Sequence, residues 1–288
     1  MNRQAARLLA MIAAGSDAPV SDIEARRRGL EGLAKLGAPI ETAEVRLEDR
    51  RIDLAGRSLR LRLYQPKDAA SAGAVLFLHG GGWVAGSHQT HDAFLRLLAQ
   101  SSGRTLIGLD YRLASEHPFP AAFEDGVDAL DALASEFGEM ALSGDSAGGG
   151  LALAVALARP RSVEKLLLVS PIVSARPRHA SRKVFATGHF VEAASFLADL
   201  RAYAPDESLW DDPRLSPLLA SDFSGLPPCQ IHIAGFDPFR DEGEDLANRI
   251  GRAQLVRHDD QIHYFYALPG LIPAARTAIA GMGRFLAD

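Results

Sequence analysis

Three patterns of apolar and polar positions succeed one another along the chain. The first has the period of a helix, with Leu8, Leu9, Met11 and Ile12 on one face. Ser16, Asp17 and Pro19 break that helix. A charged helix is predicted from Ser21 to about Leu36, ended by Gly37 and Pro39. From Ala43 the period falls to two, through Val45, Leu47, Ile52, Leu54, Leu59, Leu61 and Leu63. Such alternation predicts strands in an antiparallel hairpin, with Gly56 at the turn. After Pro66 short apolar runs take over, at 74–78, 105–109, 140–142, 165–169, 230–234 and 253–256. Helical patterns lie between or after them, at 92–101, 122–137, 148–158, 241–250 and 273–286. Strands buried on both faces and joined by crossover helices predict a mostly parallel central sheet with helices on both faces, the α/β class.

One stretch interrupts this alternation. Residues 172 to about 215 run from polar and basic positions into a helix around 191–203, then into the turn-rich Asp211-Asp212-Pro213. An excursion this long between two sheet strands is usually functional. It leaves from the C-terminal end of a parallel strand, where α/β sheets place their sites, so a lid is expected.

Composition narrows the function. The chain has 288 residues and a net charge of −5 from 31 basic and 36 acidic side chains. There is no global basic footprint for nucleic acid or an acidic membrane. Arg26, Arg27 and Arg28 form the tightest basic cluster and predict a solvated face. A lone cysteine, Cys229, excludes an internal disulfide framework and a multi-cysteine metal site, and is expected inert in a buried strand. No apolar run reaches the roughly 18 residues of a membrane span. Arg3 and Arg7 ahead of the apolar 8–14 faintly resemble a secretory signal, but the amphipathic helix fits better, and a cytoplasmic location is expected.

The chemistry sits in two glycine-rich loops. Gly144-Asp145-Ser146-Ala147-Gly148 follows the strand at 140–142 and opens the apolar helix. A serine on a sharp strand-to-helix turn stands exposed above a sheet at the positive end of a helix. Glycines two before and two after it let strand and helix pack closely. His79-Gly80-Gly81-Gly82-Trp83 follows the strand at 74–78. Three glycines in a row bare backbone N–H groups that can hold an oxyanion. A phosphate cradle fits less well, because no Gly-Lys-Ser/Thr follows.

A nucleophilic serine needs a base, and the base an orienting acid. Asp237 lies just beyond the strand at 230–234. Asp241, Glu242 and Asp245 compete, but fall inside the next helix, where they are expected to face solvent. His258 lies near the end of the last strand and His263 in the loop before the final helix. His88 and His91 lack a third metal ligand, and His117 and His232 are expected to be structural.

The chain resembles the hormone-sensitive-lipase group of α/β-hydrolases, which includes many bacterial carboxylesterases. The resemblance runs from about residue 40 to the end. His79–Trp83, the segment from Asp110 to Pro120, Gly144–Gly148 and the segment from Asp237 to Gly243 carry it. It implies the α/β-hydrolase fold with a small helical cap, built from N-terminal helices at 1–42 and the insertion at 172–212. The hydrolase core would then be 43–171 and 213–288. It also implies Ser146 as nucleophile, Asp237 as acid and His263 as base, with an oxyanion hole of the Gly81, Gly82 and Ala147 N–H groups. Trp83 and Tyr264 are the expected substrate contacts, and no metal or organic cofactor is implied.

Two positions depart from the family pattern. Ser115 replaces a usual Pro and is expected to loosen a loop. Tyr264 replaces a usual Gly, so its ring would narrow the pocket or shift the histidine loop. The implied activity is hydrolysis of small, short-acyl carboxylic esters through an acyl-enzyme. The alternatives are an amide, lactone or acetylated-metabolite hydrolase, or a non-catalytic receptor on the same fold. The expected partner is the small-molecule ester, and edge-to-edge strand pairing would offer a route to a homodimer.

Overall fold

A computed structural model describes residues 1–15, 22–38, 44–67 and 73–288. Ser16, Asp17, Pro19, Ser21, Pro39 and Ala43, and with them the boundary at 42/43, lie outside the described residues. Helices α1 (Arg3–Gly15) and α2 (Ile23–Gly37) come first, and Asp22 caps α2 by accepting the Ala25 N–H at 2.8 Å. Strands β1 (Val45–Leu54) and β2 (Arg57–Pro66) form the antiparallel hairpin, turning through Gly56.

The alternating part follows as β3 (Ala74–Leu78), α3 (Asp92–Ser102), β4 (Thr105–Asp110), α4 (Ala121–Phe137), β5 (Met140–Asp145), α5 (Ser146–Ala158) and β6 (Val163–Val169). After the insertion come β7 (Cys229–Phe236), α8 (Arg240–Ile250), β8 (Gln254–Ile262) and α9 (Ala274–Ala287). The insertion itself carries α6 (Ser181–Val184) and α7 (Ala193–Tyr203). The eight strands lie in the order β1-β2-β4-β3-β5-β6-β7-β8, parallel from β4 onward. Strand β8 runs past the expected end at 256, so His258 lies inside it, stacked on His232.

Each face of the sheet buries its own layer. Phe94 and Leu98 of α3 and Ile279 and Met282 of α9 pack on Val75, Phe77 and Val169. On the other face Leu130 of α4, Val155 of α5 and Leu246 of α8 pack on Leu76, Leu78 and Leu168. Cys229 is buried at the start of β7, and burial pushes its thiol up to about 12. No helix among the described residues is long and apolar enough to cross a membrane.

Register decides where the site forms. Leu78 of β3 pairs with Gly144 of β5, and Phe236 of β7 with Ile262 of β8. The residues immediately after β3, β5, β7 and β8 are His79, Ser146, Asp237 and His263. Four loops therefore leave the same carboxyl edge side by side, where open α/β sheets collect ligands.

Candidate active site

The Ser146 backbone is left-handed, with φ 52°, at the junction of β5 and α5. The close approach needs glycine. A Cβ at Gly144 would collide with the Gly148 carbonyl, and one at Gly148 with the carbonyls of Leu78 and His79. The turn thus presses against the loop after β3, where a Cβ on Gly80 would stand 3.0 Å from that of Ser146.

The structure brings Ser146, His263 and Asp237 into one hydrogen-bonded line. Ser146 Oγ donates to His263 Nε2 at 2.9 Å, and His263 Nδ1 donates to Asp237 Oδ2 at 2.8 Å. Asp237 is held in turn by the Phe239 N–H, which donates to Oδ1 at 2.8 Å. The imidazole has Phe190 on one side and Phe239 on another, with ring centroids 6.2 and 5.4 Å away. Ser146 keeps only 7% of its surface exposed and His263 2%, so both reacting groups are largely shielded from solvent.

Gly81 and Gly82 both have positive φ, in a turn closed by the Ala85 N–H donating to the Gly81 carbonyl at 3.0 Å. Ala147 is the second residue of α5, so its N–H belongs to the first turn, which has no intrahelical acceptor. The Trp83 ring packs against the insertion. It stacks on Tyr203 at 5.0 Å, with Phe196 at 6.3 Å, so it anchors the glycine loop to α7. Tyr264 has φ 67°, which is why glycine suits this position. Its ring stacks on Phe190 at 5.4 Å and its hydroxyl donates to the Thr90 carbonyl at 2.9 Å. His263 stands in line with Ser146 and Asp237, while the Tyr264 hydroxyl reaches the loop before α3.

Sequence reasoning missed Asp145. It accepts from the Gly80 N–H at 2.7 Å, the Tyr266 hydroxyl at 2.6 Å and His91 Nε2 at 3.2 Å. Burial pushes this carboxyl up, but His91, Tyr266 and Gly80 outweigh it and hold Asp145 below the usual carboxylate range. Its place inside the serine motif was the available signal.

Other expectations need correction. Glu242 does not face solvent: it is fully buried, and Arg182 Nε donates to it at 2.5 Å. Asp241 takes the Ser181 N–H at 2.8 Å. Apart from these corrections, His88 Nδ1 lies 2.9 Å from Asp110 Oδ1 and His91 Nε2 3.2 Å from Asp145 Oδ2, and no group of three metal-ligating side chains occurs among the described residues. An open groove of about 880 Å³ lies away from Ser146, between α9 and strands β6 to β8.

The sheet order and the four adjoining loops define the class, an α/β-hydrolase. Residues 75–267 match the family described as the alpha/beta hydrolase fold. A carboxylic ester hydrolase of Mycobacterium tuberculosis, LipN, is 36% identical over 250 residues, covering 81% of this chain and 66% of the relative. An ethyl acetate hydrolase of Pseudomonas putida is 34% identical over 95% of this chain and 90% of its own. The solved hyperthermophilic esterase of the archaeon Pyrobaculum calidifontis superposes with a TM-score of 0.93 at 32% identity, over 100% of this chain and 98% of that one. The chain belongs to the hormone-sensitive-lipase-like carboxylesterases of the α/β-hydrolase family and is a carboxylic ester hydrolase.

Proposed function

We propose that the protein hydrolyses small, short-acyl carboxylic esters through an acyl-enzyme on Ser146. The line from Ser146 Oγ to His263 to Asp237, at 2.9 and 2.8 Å, carries this reading. Asp237 holds the imidazole as the Nδ1–H tautomer, which leaves Nε2 free to accept the serine proton. As Oγ bonds to the ester carbon, that proton moves to Nε2, and Asp237 stabilises the imidazolium without taking the proton. The negative charge on the former carbonyl oxygen is met by the Gly81, Gly82 and Ala147 N–H groups. Loss of one such donor typically costs about 10²–10³ in rate. His263 then gives its proton to the departing alkoxide. A water attacks the acyl-enzyme, loses its proton to Nε2, and the acid leaves as Ser146 regains its hydrogen.

The N-terminal helices and the insertion serve as the cap over this edge. The burial of Ser146 and His263 favours a small ester, and the ethyl acetate hydrolase relative supports the same size class. Amides and lactones would call on the same groups, so p-nitroanilides belong in the substrate series.

The test is turnover of p-nitrophenyl acetate, butyrate, octanoate and palmitate by the wild type and Ser146→Ala. Cleavage should be fastest for the short esters and fall about 10⁶-fold in kcat in the variant. A clear preference for palmitate would remove the short-acyl reading. Turnover unchanged by Ser146→Ala would remove the nucleophile.

A further inference from the structure

The cluster Arg26, Arg27 and Arg28 looks in sequence like a solvated face. In the structure only Arg28 is exposed, and the other two are internal ties. Arg27 Nε donates to the Val84 carbonyl at 2.8 Å, inside the glycine-loop turn. The same guanidinium donates to the Ala114 carbonyl at 3.0 Å and to both carboxylate oxygens of Glu116, at 2.7 and 2.8 Å. The Ala114 N–H in turn donates to the Trp83 carbonyl at 3.0 Å.

Arg26 grips Asp199 of α7 with two contacts of 2.5 and 2.6 Å, and donates to the Ser195 carbonyl at 3.0 Å. That carboxylate lies directly on Gly82, where a Cβ would collide with Oδ2. The turn from Gly81 to Ala85 is therefore held at Val84 by Arg27 and at Trp83 through Ala114, and it packs at Gly82 against the carboxylate that Arg26 fixes.

We propose that Arg27 and the Arg26–Asp199 pair are positioning residues of the oxyanion hole, through which helix α2 fixes the direction of the Gly81 and Gly82 N–H groups. A run of three glycines has the greatest conformational freedom the chain can offer. Oxyanion stabilisation requires the opposite, donors already aimed at the oxygen before charge develops. Gly80, Gly81 and Gly82 carry no side chains that could fix the backbone, so besides the Trp83 ring and Asp145 at Gly80 the fixing groups come from α2 and α7. The assignment rests on the acyl-enzyme reading above.

The experiment compares wild type, Arg27→Met, Arg27→Lys and Arg26→Met as full chains. Each is assayed with p-nitrophenyl butyrate, a trifluoromethyl ketone and 1-butanol, and its melting temperature is recorded. The ketone carbon gains a bond from Ser146 Oγ as the serine proton passes to His263 Nε2 and the C=O π pair moves to oxygen, giving an oxyanion, whereas 1-butanol, measured as a competitive inhibitor of the free enzyme, meets no acyl group there and forms none. Arg27→Met keeps the side-chain stem but no donor. Its kcat should fall about 10- to 100-fold with KM within about twofold, and ketone affinity should fall by the same factor. Alcohol inhibition should stay as in the wild type. Arg26→Met should show the same split at smaller size.

Equal weakening of ketone and alcohol, or unchanged kcat and ketone affinity, overturns the assignment for that residue. If Arg27→Met does not fold, Arg27→Lys decides. A single ammonium cannot reach Val84, Ala114 and Glu116 together, so kcat and ketone affinity must fall in step, and unchanged values overturn the proposal. An inactive wild type would instead overturn the acyl-enzyme reading. An active wild type with unaffected arginine variants overturns this assignment alone.

Discussion

The Tyr266 hydroxyl donates to Asp145 Oδ2 at 2.6 Å, joining the loop that carries His263 to the residue before Ser146. Asp145 also holds the Gly80 N–H at the root of the glycine loop. One buried carboxylate thus connects three loops that arrive from β3, β5 and β8. Asp145→Asn keeps the shape but sets an NH₂ group or a neutral oxygen against donors that need a carboxylate. It should cost about 3 kcal/mol, as breaking a buried charged network does. Tyr266→Phe removes one bond to a charged acceptor and should cost about 2 kcal/mol. Urea unfolding midpoints at unchanged slope check both, and an Asp145→Asn loss under about 0.5 kcal/mol would discard the role.

Tyr264 sets two effects against each other. A left-handed backbone costs a bulky residue about 1–2 kcal/mol. Against that, the ring is 3% exposed and holds Thr90 through its hydroxyl. Removing a buried aromatic side chain typically costs about 3–5 kcal/mol. Burial wins, so Tyr264→Gly should destabilise by about 2–3 kcal/mol despite relieving the backbone. A raised unfolding midpoint in that variant would show that backbone strain is the larger quantity.

The guanidinium of Arg182 lies 4.4 Å from the Phe196 ring centre and 4.2 Å from that of Phe239. It also donates to the Ser174 carbonyl at 2.6 Å, so the insertion is tied through Glu242 to α8 and the loop of Asp237. Burial pushes the Glu242 carboxyl up, and Arg182 opposes this. Arg182→Met alone strands a buried carboxyl and should cost about 3–5 kcal/mol. The double variant Arg182→Met/Glu242→Leu should recover most of that loss. Thermal melts of the two would refute the argument if the double variant were the less stable.

Asp199 supplies a pH dependence. Burial pushes its carboxyl up to about 7, against the pull of the Arg26 guanidinium. In the unfolded chain it returns to its ordinary value of 3.8, so between 3.8 and about 7 the folded protein binds the extra proton. Its contribution to stability is then full below the unfolded value and is lost as pH rises through the folded one. Asp199→Asn cannot titrate. The melting temperature of the wild type relative to that variant should therefore fall from pH 5 to pH 8. A gap that stays constant or widens would contradict the shift.

Much of the fold was legible because burial periodicity is a local property. Alternation through Val45–Leu63 marks a half-buried hairpin, and the apolar runs after Pro66 mark strands covered on both faces. The serine turn was legible for the same reason: strand, glycines and helix are contiguous. The expectation failed where a charge meets a partner far away in sequence. Glu242 looked solvated because its helix pattern is polar, but Arg182 stands 60 residues earlier. Arg26 and Arg27 looked solvated because, Glu24 apart, the groups that accept their hydrogen bonds lie far away in sequence.

The sequence by itself determined the alternation of strands and helices, the serine at a constrained turn and the glycine loop after β3, since each depends on neighbours within a few residues. Tertiary structure alone decided which carboxylate reaches which imidazole. Asp237, Asp241, Glu242 and Asp245 are rivals along one short stretch. The register of β7 against β8 sets Asp237 beside His263, while Glu242 on α8 lies buried against Arg182 of the insertion. The same holds for Asp145 and the arginines of α2, because a buried charge persists only where the folded chain delivers its counterpart.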